Sequence, residues 1–168
     1  VSDSTIPEHQ RHKPPTELLQ PRELVVALPQ MQSQVNVARV VRAAGCFGVQ
    51  RLIVAGQGKI DPRIAREAIE YCEITRHNSL PPVLGSWKSD GYRLVGLEQA
   101  TRSVSIFDFQ FSRKTLLVIG HERNGMDEEL LRMMDDVVEI PVYGRPLSYN
   151  AATSAMLGMY EYCRQFPS

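Results

Sequence analysis

TLLVIGHERNGMDEELL, residues 115–131, decides how this chain is built. Leu116 to Ile119 form an unbroken apolar run, the length of one strand buried on both faces. Gly120 follows, a residue that lets a ligand or a second backbone come close. The Asn124-Gly125 pair favours a tight turn, and Asp127 opens a short helix over DEELLRMM. The stretch therefore reads as strand, glycine-bearing loop and helix.

The same order repeats outward from it. ELVVALP (23–29) reads as a buried strand, and a helical pattern runs from Asn36, as N-cap, to about Gly48. RLIVAG (51–56) is a second strand, and DPRIAREAIEYCE (61–73), with Asp then Pro in its first turn, a second helix. Residues 77–90 read as turn-rich. YRLVGLE (92–98) and VVEIPV (137–142) are further strands, and Asn150 to about Gln165 a closing helix. Short apolar strands alternating with helices predict an α/β fold: a mostly parallel sheet with helices on both faces.

The 168 residues suit one domain, and the 43% hydrophobic content supplies its core. Residues 1–21 carry prolines at 7, 14, 15 and 21 and no apolar periodicity, which predicts a flexible N-terminal extension before a domain over 22–168. Nineteen basic and nineteen acidic side chains give zero net charge, so a nucleic-acid site has to be a local patch. Lysine occurs only at 13, 59, 88 and 114, and arginine, which suits bidentate phosphate contacts, supplies the rest. Cys46, Cys72 and Cys163 are odd in number and widely spaced, which indicates neither a disulfide framework nor a zinc ribbon. With no membrane-length apolar run and no signal-peptide pattern, the expectation is a cytoplasmic protein with no membrane partner.

In such a sheet ligands bind beyond the strand ends. Four segments lie there: GQGK (56–59), LEQAT (97–101), GHERNG (120–125) and IPVYGRPLSYN (140–150). GQGK has the spacing of neither a dinucleotide fingerprint nor a P-loop. The four histidines form no metal-ligand pattern, so no metal is expected. Glu122 and Arg123 read either as a surface ion pair or as site residues, and Ser148 and Asn150 either as helix caps or as site residues.

Three of these segments, with the first helix, carry a resemblance. The order N-x-x-R-x-x-R-x-x-x-x-F-G-V (36–49), L-x-x-G-x-E-x-x-G (117–125) and I-P-x-x-G-x-x-x-S-x-N (140–150), before a helix ending Y-E-Y, resembles the three motifs of the SpoU/TrmH family of SPOUT-class RNA ribose 2′-O-methyltransferases. The resemblance covers about residues 22–166. It implies a C-terminal deep trefoil knot, S-adenosylmethionine as cofactor with S-adenosylhomocysteine as product, a homodimer packed through the knot region, and tRNA or rRNA as substrate. Carried over position by position, it implies catalytic roles for Asn36, Arg42, Glu122, Ser148 and Asn150. It likewise implies a cofactor cradle of Leu97, Gly120, Ile140, Ser148 and Tyr149. Arg39, Arg123 and Arg145, in or beside the motif loops, are the candidate RNA contacts. Tyr149 stands where the family usually has Leu, Ala38 where it has a small Gly, and His121 where Asn or Ala is common.

The implied reaction moves a methyl group from a sulfonium to a ribose hydroxyl, and its difficulty lies in activating and orienting a poorly acidic hydroxyl. An arginine, with a pKa above about 12, suits a phosphate clamp and electrostatic stabiliser better than a base. The alternative is a non-catalytic RNA-binding or assembly protein that keeps the knotted fold. Its mark would be loss of Arg42 or Asn150, and both are present. An ordinary nucleotide enzyme on a doubly wound sheet would need a glycine-rich loop after the first strand, where LPQMQSQVN has none.

Overall fold

The structure is a computed structural model and describes residues 6–168. Seven strands form one sheet: β1 (Val25–Leu28), β2 (Arg51–Ala55), β3 (Glu73–His77), β4 (Arg93–Leu97), β5 (Val104–Ser105), β6 (Thr115–Ile119) and β7 (Asp136–Glu139). Their order is β3-β2-β1-β6-β4-β7-β5, and every neighbouring pair is parallel. Six helices connect them: α1 (Gln34–Phe47), α2 (Pro62–Ala65), α3 (Ala68–Tyr71), α4 (Pro81–Ser89), α5 (Glu128–Met133) and α6 (Ala151–Gln165).

Period-two alternation sorts the strand side chains into two cores. Val26, Leu28, Leu52, Val54, Val95, Leu97, Leu117 and Ile119 face α1 and α6. Val25, Ala27, Ile53, Leu94, Leu116 and Val118 face Leu84 of α4 and the apolar side of α5. Both faces of the central strands are thus covered, and β1 and β6 are buried throughout.

Several local readings need correction. The N-cap of α1 is Ser33, whose hydroxyl accepts from Asn36 N–H at 3.3 Å. Asn36 lies inside the helix and is buried, since its side chain is held by other elements. At the far end Gly48, at φ +70°, adopts the left-handed conformation that closes the helix. The helix over 61–73 breaks into α2 and α3 at Arg66, whose φ is +57°, and Glu73 already belongs to β3. Residues 77–90 contain α4, entered through Pro81, because proline is compatible with a first helical turn.

The start of β4 is fastened to β7 by charge. Arg93 pairs with Asp136, Lys88 with Asp135 at 2.6 Å, and Asp135 also accepts from Leu94 N–H at 2.9 Å. Partial burial opposes ionisation of Asp135, but the Lys88 ammonium and the Leu94 N–H outweigh it and hold the carboxyl below its usual range. This clasp contributes fully above the unfolded-state pKa and is released as pH falls through the depressed folded value. Burial pushes the Cys72 thiol up to about 11, so it stays a neutral core group. Among the described residues, no helix is long and apolar enough to cross a membrane.

The closing helix α6 divides its apolar side chains. Ala152, Ala155 and Met159 are buried within the protomer, while Met156 and Tyr160 point outward with 43% and 58% of their surface exposed. Its seat on the sheet depends on Gly158, because a Cβ there would stand 2.8 Å from a Leu117 methyl and 3.2 Å from a Leu97 methyl. Gly158→Val should therefore lower unfolding stability by about 1–3 kcal/mol, as overpacking does. Urea titration checks this, and an unchanged midpoint would show that the helix is not seated this closely.

Candidate active site

The C-terminal ends of β4, β6 and β7 open into a cleft of about 320 Å³, a size that suits a small-molecule site. Leu97 to Gln99 form one wall, Ile119 to Gly125 a second, and Ile140, Ser148, Tyr149, Ala151 and Ser154 the third. The five residues expected to cradle a cofactor, Leu97, Gly120, Ile140, Ser148 and Tyr149, all line this cleft. The walls are tied together as well: Gln99 Nε2 donates to Leu147 O at 3.3 Å, and Tyr149 Oη to Pro141 O at 3.4 Å.

The second wall is a tight hairpin. His121 and Gly125 exchange two backbone hydrogen bonds of 3.1 and 3.0 Å, and Gly125 takes φ +65°. Inside the turn His121 Nδ1 accepts from Arg123 N–H at 3.2 Å and Asn124 N–H at 3.4 Å, so the ring supplies an acceptor to a loop that lacks one. The hairpin sends Glu122 away from the cleft floor toward α1. There its carboxylate accepts from Gln32 N–H at 2.8 Å, Ser33 N–H at 3.3 Å and Asn36 Nδ2 at 2.6 Å. An anion at a helix N-terminus is favoured by the unpaired N–H groups and the aligned peptide dipoles.

Asn36 passes the connection on. Its Oδ1 accepts from Asn150 Nδ2 at 3.3 Å, while Asn150 Oδ1 caps α6 by accepting from Ala152 N–H at 2.9 Å. Asn150 therefore caps α6 with its oxygen and reaches Asn36 with its nitrogen. Glu122 makes no ion pair with Arg123, which is exposed on the cleft rim. Asn36, Glu122 and Asn150, drawn from three separate segments, meet in one hydrogen-bonded line.

Arg42 does not join them. It is exposed on α1, six residues beyond Asn36 and so roughly 9 Å along the axis. It lines a second cleft, of about 690 Å³, at the other end of the helix, with Arg22, Arg66 and Tyr71 among its neighbours. Arg39 is exposed one turn earlier on α1, and Arg145 lines a shallow groove beside Tyr143. Glu98 and Gln99, which the sequence places in the 97–101 segment without a role of their own, and Ser154, read only as part of the closing helix, also line this cleft. Glu98 had a signal, as a lone acid directly after the apolar run of β4. Among the described residues no group of three or more His, Cys, Asp or Glu is placed to hold a metal ion.

The chain is similar to known proteins over most of its length. Residues 23–160 match the model of the SpoU rRNA Methylase family. The mouse tRNA (guanosine(18)-2'-O)-methyltransferase TARBP1 is 30% identical over 149 residues, which cover 84% of this chain and 9% of that protein. The corresponding Escherichia coli K12 enzyme is 24% identical over 146 residues, covering 85% of this chain and 64% of the relative. The chain thus spans less than two thirds of either protein. Among solved structures, the Streptomyces viridochromogenes SpoU methyltransferase AviRb in complex with AdoMet superposes with a TM-score of 0.76 at 29% identity, covering 89% of this chain and 62% of that one. The Aquifex aeolicus TrmH/SpoU tRNA modifying enzyme shares the fold with a TM-score of 0.81 at 24% identity, over 87% of this chain and 76% of that one.

The closeness of Asn36 to Glu122 generates a prediction. Asn36→Asp sets a second carboxylate against the first, which raises the folded-state pKa of one of the two. The cost is present while both are ionised and disappears as pH falls through the raised value. The thermal midpoint should lie well below wild type at pH 8, and the gap should close below about pH 5. Asn36→Ala should show a gap that does not depend on pH. Parallel pH profiles for the two variants would mean that the carboxylates are not neighbours.

Proposed function

The chain belongs to the SpoU rRNA methylase family, and from that premise we propose that it transfers a methyl group from S-adenosylmethionine to a ribose 2′-hydroxyl of structured tRNA or rRNA. The observation that carries the reading is the hydrogen-bonded line from Glu122 through Asn36 to Asn150, beside a cleft lined by Leu97, Gly120, Ile140, Ser148 and Tyr149.

The cleft suits the cofactor. Leu97, Ile119, Ile140 and Ala151 offer apolar contact for an adenine ring, with backbone groups of Gly120, Ile140 and Tyr149 close by. Gly120 and Gly125 leave room for the Glu98 carboxylate beside the cradle, since a Cβ at either would collide with it. When bound there, the cofactor supplies an electrophilic methyl group on a sulfonium. The chain's own residues hold and orient. Glu122 already accepts from Gln32, Ser33 and Asn36, so it serves as an anchor for Asn36 and not as a free base. Ser148, exposed at the cleft mouth, is placed to orient the incoming ribose. Arg42 clamps an RNA phosphate and stabilises developing alkoxide charge, while Arg39, Arg123 and Arg145 add phosphate contacts.

That role for Arg42 requires a homodimer, since within one protomer it lies at the far end of α1 from the cofactor cleft. The outward side chains Val35 on α1 and Met156 and Tyr160 on α6, 43%, 43% and 58% exposed, support a two-fold interface that brings Arg42 to a neighbouring cleft. The strand order, with β6 between β1 and β4, and the tie between Gln99 and Leu147 support the knotted return of the C-terminus. We assign the protein to the cytoplasm, where tRNA and rRNA substrates are met.

Tritiated methyl transfer from S-adenosylmethionine to total RNA, followed by digestion to nucleosides, tests the reading: label should appear in a 2′-O-methylnucleoside. No binding of S-adenosylmethionine or S-adenosylhomocysteine by calorimetry would reject it. Arg42→Ala should cut transfer by roughly 10²–10³-fold with cofactor binding nearly intact, and Arg42→Lys should recover part of the loss. Arg39→Ala should mainly weaken RNA binding and make its salt dependence shallower. Tyr160→Glu should give a single-chain mass by sedimentation and lose transfer; full activity in such a monomer would remove the dimer from the mechanism.

A further inference from the structure

Glu98 is the first residue after β4, and none of the three motifs includes it. Its backbone N–H donates to Val138 O on β7 at 3.0 Å, which fixes its Cα to the sheet. The side chain turns along the floor of the cofactor cleft. Oε1 accepts from Gln99 N–H at 2.9 Å, and Oε2 from Met126 N–H at 2.9 Å. The same Oε2 sits against both glycines that bracket the 121–125 hairpin: a Cβ on Gly125 would stand 2.6 Å from it, and one on Gly120 would collide with it too. One carboxylate therefore holds the first turn of the 97–101 wall and the base of the 120–126 wall together.

The chemistry of the contact calls for an anion. Both partners are backbone N–H donors, and among the described residues Glu98 forms no ion pair with Lys or Arg. A carboxylate offers two oxygens to two donors, whereas an amide would turn its NH₂ group toward one of them. The two glycines complete the fit, since only a residue without a Cβ lets the oxygen come so near.

We infer that Glu98 is a positioning residue of the cofactor cleft, which sets the separation of the two loop walls and acts on the cofactor through their backbones. The inference rests on the assignment of this cleft to S-adenosylmethionine. Glu122 serves a different purpose, since it orders Asn36 and, through it, the mouth of the site where the ribose enters.

The test separates these two carboxylates. Glu98→Gln should raise the KM for S-adenosylmethionine and the Kd of S-adenosylhomocysteine roughly ten- to a hundred-fold, the effect of losing one charged hydrogen bond between the walls. At saturating cofactor its kcat should stay within about two-fold of wild type, and RNA affinity without cofactor should not move. Glu122→Gln should show the opposite split, with kcat lowered and cofactor KM little changed. Glu98→Asp, one methylene too short to reach both donors, should resemble Glu98→Gln. Unchanged cofactor affinity in Glu98→Gln would overturn the inference. So would a parallel loss of kcat, RNA affinity and thermal midpoint in both Glu98 variants, because that is the pattern of a fold residue. Failure of the wild-type protein to bind S-adenosylhomocysteine would instead sink the cofactor assignment itself.

Discussion

The bond from Asn36 Nδ2 to the Glu122 carboxylate, 2.6 Å long, is the constraint on which the rest of the structure turns. Burying an amide inside a helix facing a sheet is costly unless both of its ends are satisfied. Glu122 satisfies one end and Asn150 the other, and each belongs to a different loop. A hydrogen bond to a charged acceptor contributes about 1.5–3 kcal/mol, and the penalty for leaving either partner alone adds to it. The helix start, the hairpin after β6 and the start of α6 consequently have one mutual arrangement. With that fixed, the cleft walls have little freedom.

How legible this was from the sequence follows from what each residue's neighbours are. The strands β1, β2, β4 and β6 each carry a run of apolar residues, after an opening Arg51, Arg93 or Thr115 in the last three, and announce themselves. β3, with the sequence EITRH, alternates charge and lies at the sheet edge, where one flank meets solvent, so its pattern resembles a loop. The N-cap was misplaced because Ser33 and Asn36 are both good capping residues, and only the sheet above them shows which one is inside. The break at Arg66 has no proline or glycine beside it to signal it.

The site divides in the same way. Leu97, Gly120 and Ile140 converge because each stands at or just beyond a strand end of a parallel sheet, a rule readable from order alone, while Ser148 and Tyr149 reach the cleft from the loop that leads into α6. Arg42 sits on the same helix as Asn36, yet six residues along a rigid rod carry it to a different cleft. Sequence adjacency within a motif says nothing about which protomer's surface a long side chain serves. Zero net charge likewise concealed a local imbalance, since Arg39 and Arg42 are exposed on α1, and neither forms an ion pair among the described residues.

Arg22 is a quieter feature with a geometric consequence. Its guanidinium gathers the carbonyls of Phe47 and Phe166 and, at 3.3 Å, that of Pro167, while Leu18 packs over Gly48. The leading segment and the last helix are therefore moored at one point, on the rim of the basic cleft that holds Arg42. Polypeptide fused after the last helix would emerge from that mooring, next to the uncompensated arginines and on the opposite end of α1 from the hairpin. A tag or neighbouring module fused there would crowd the basic surface and leave the small-molecule cleft open.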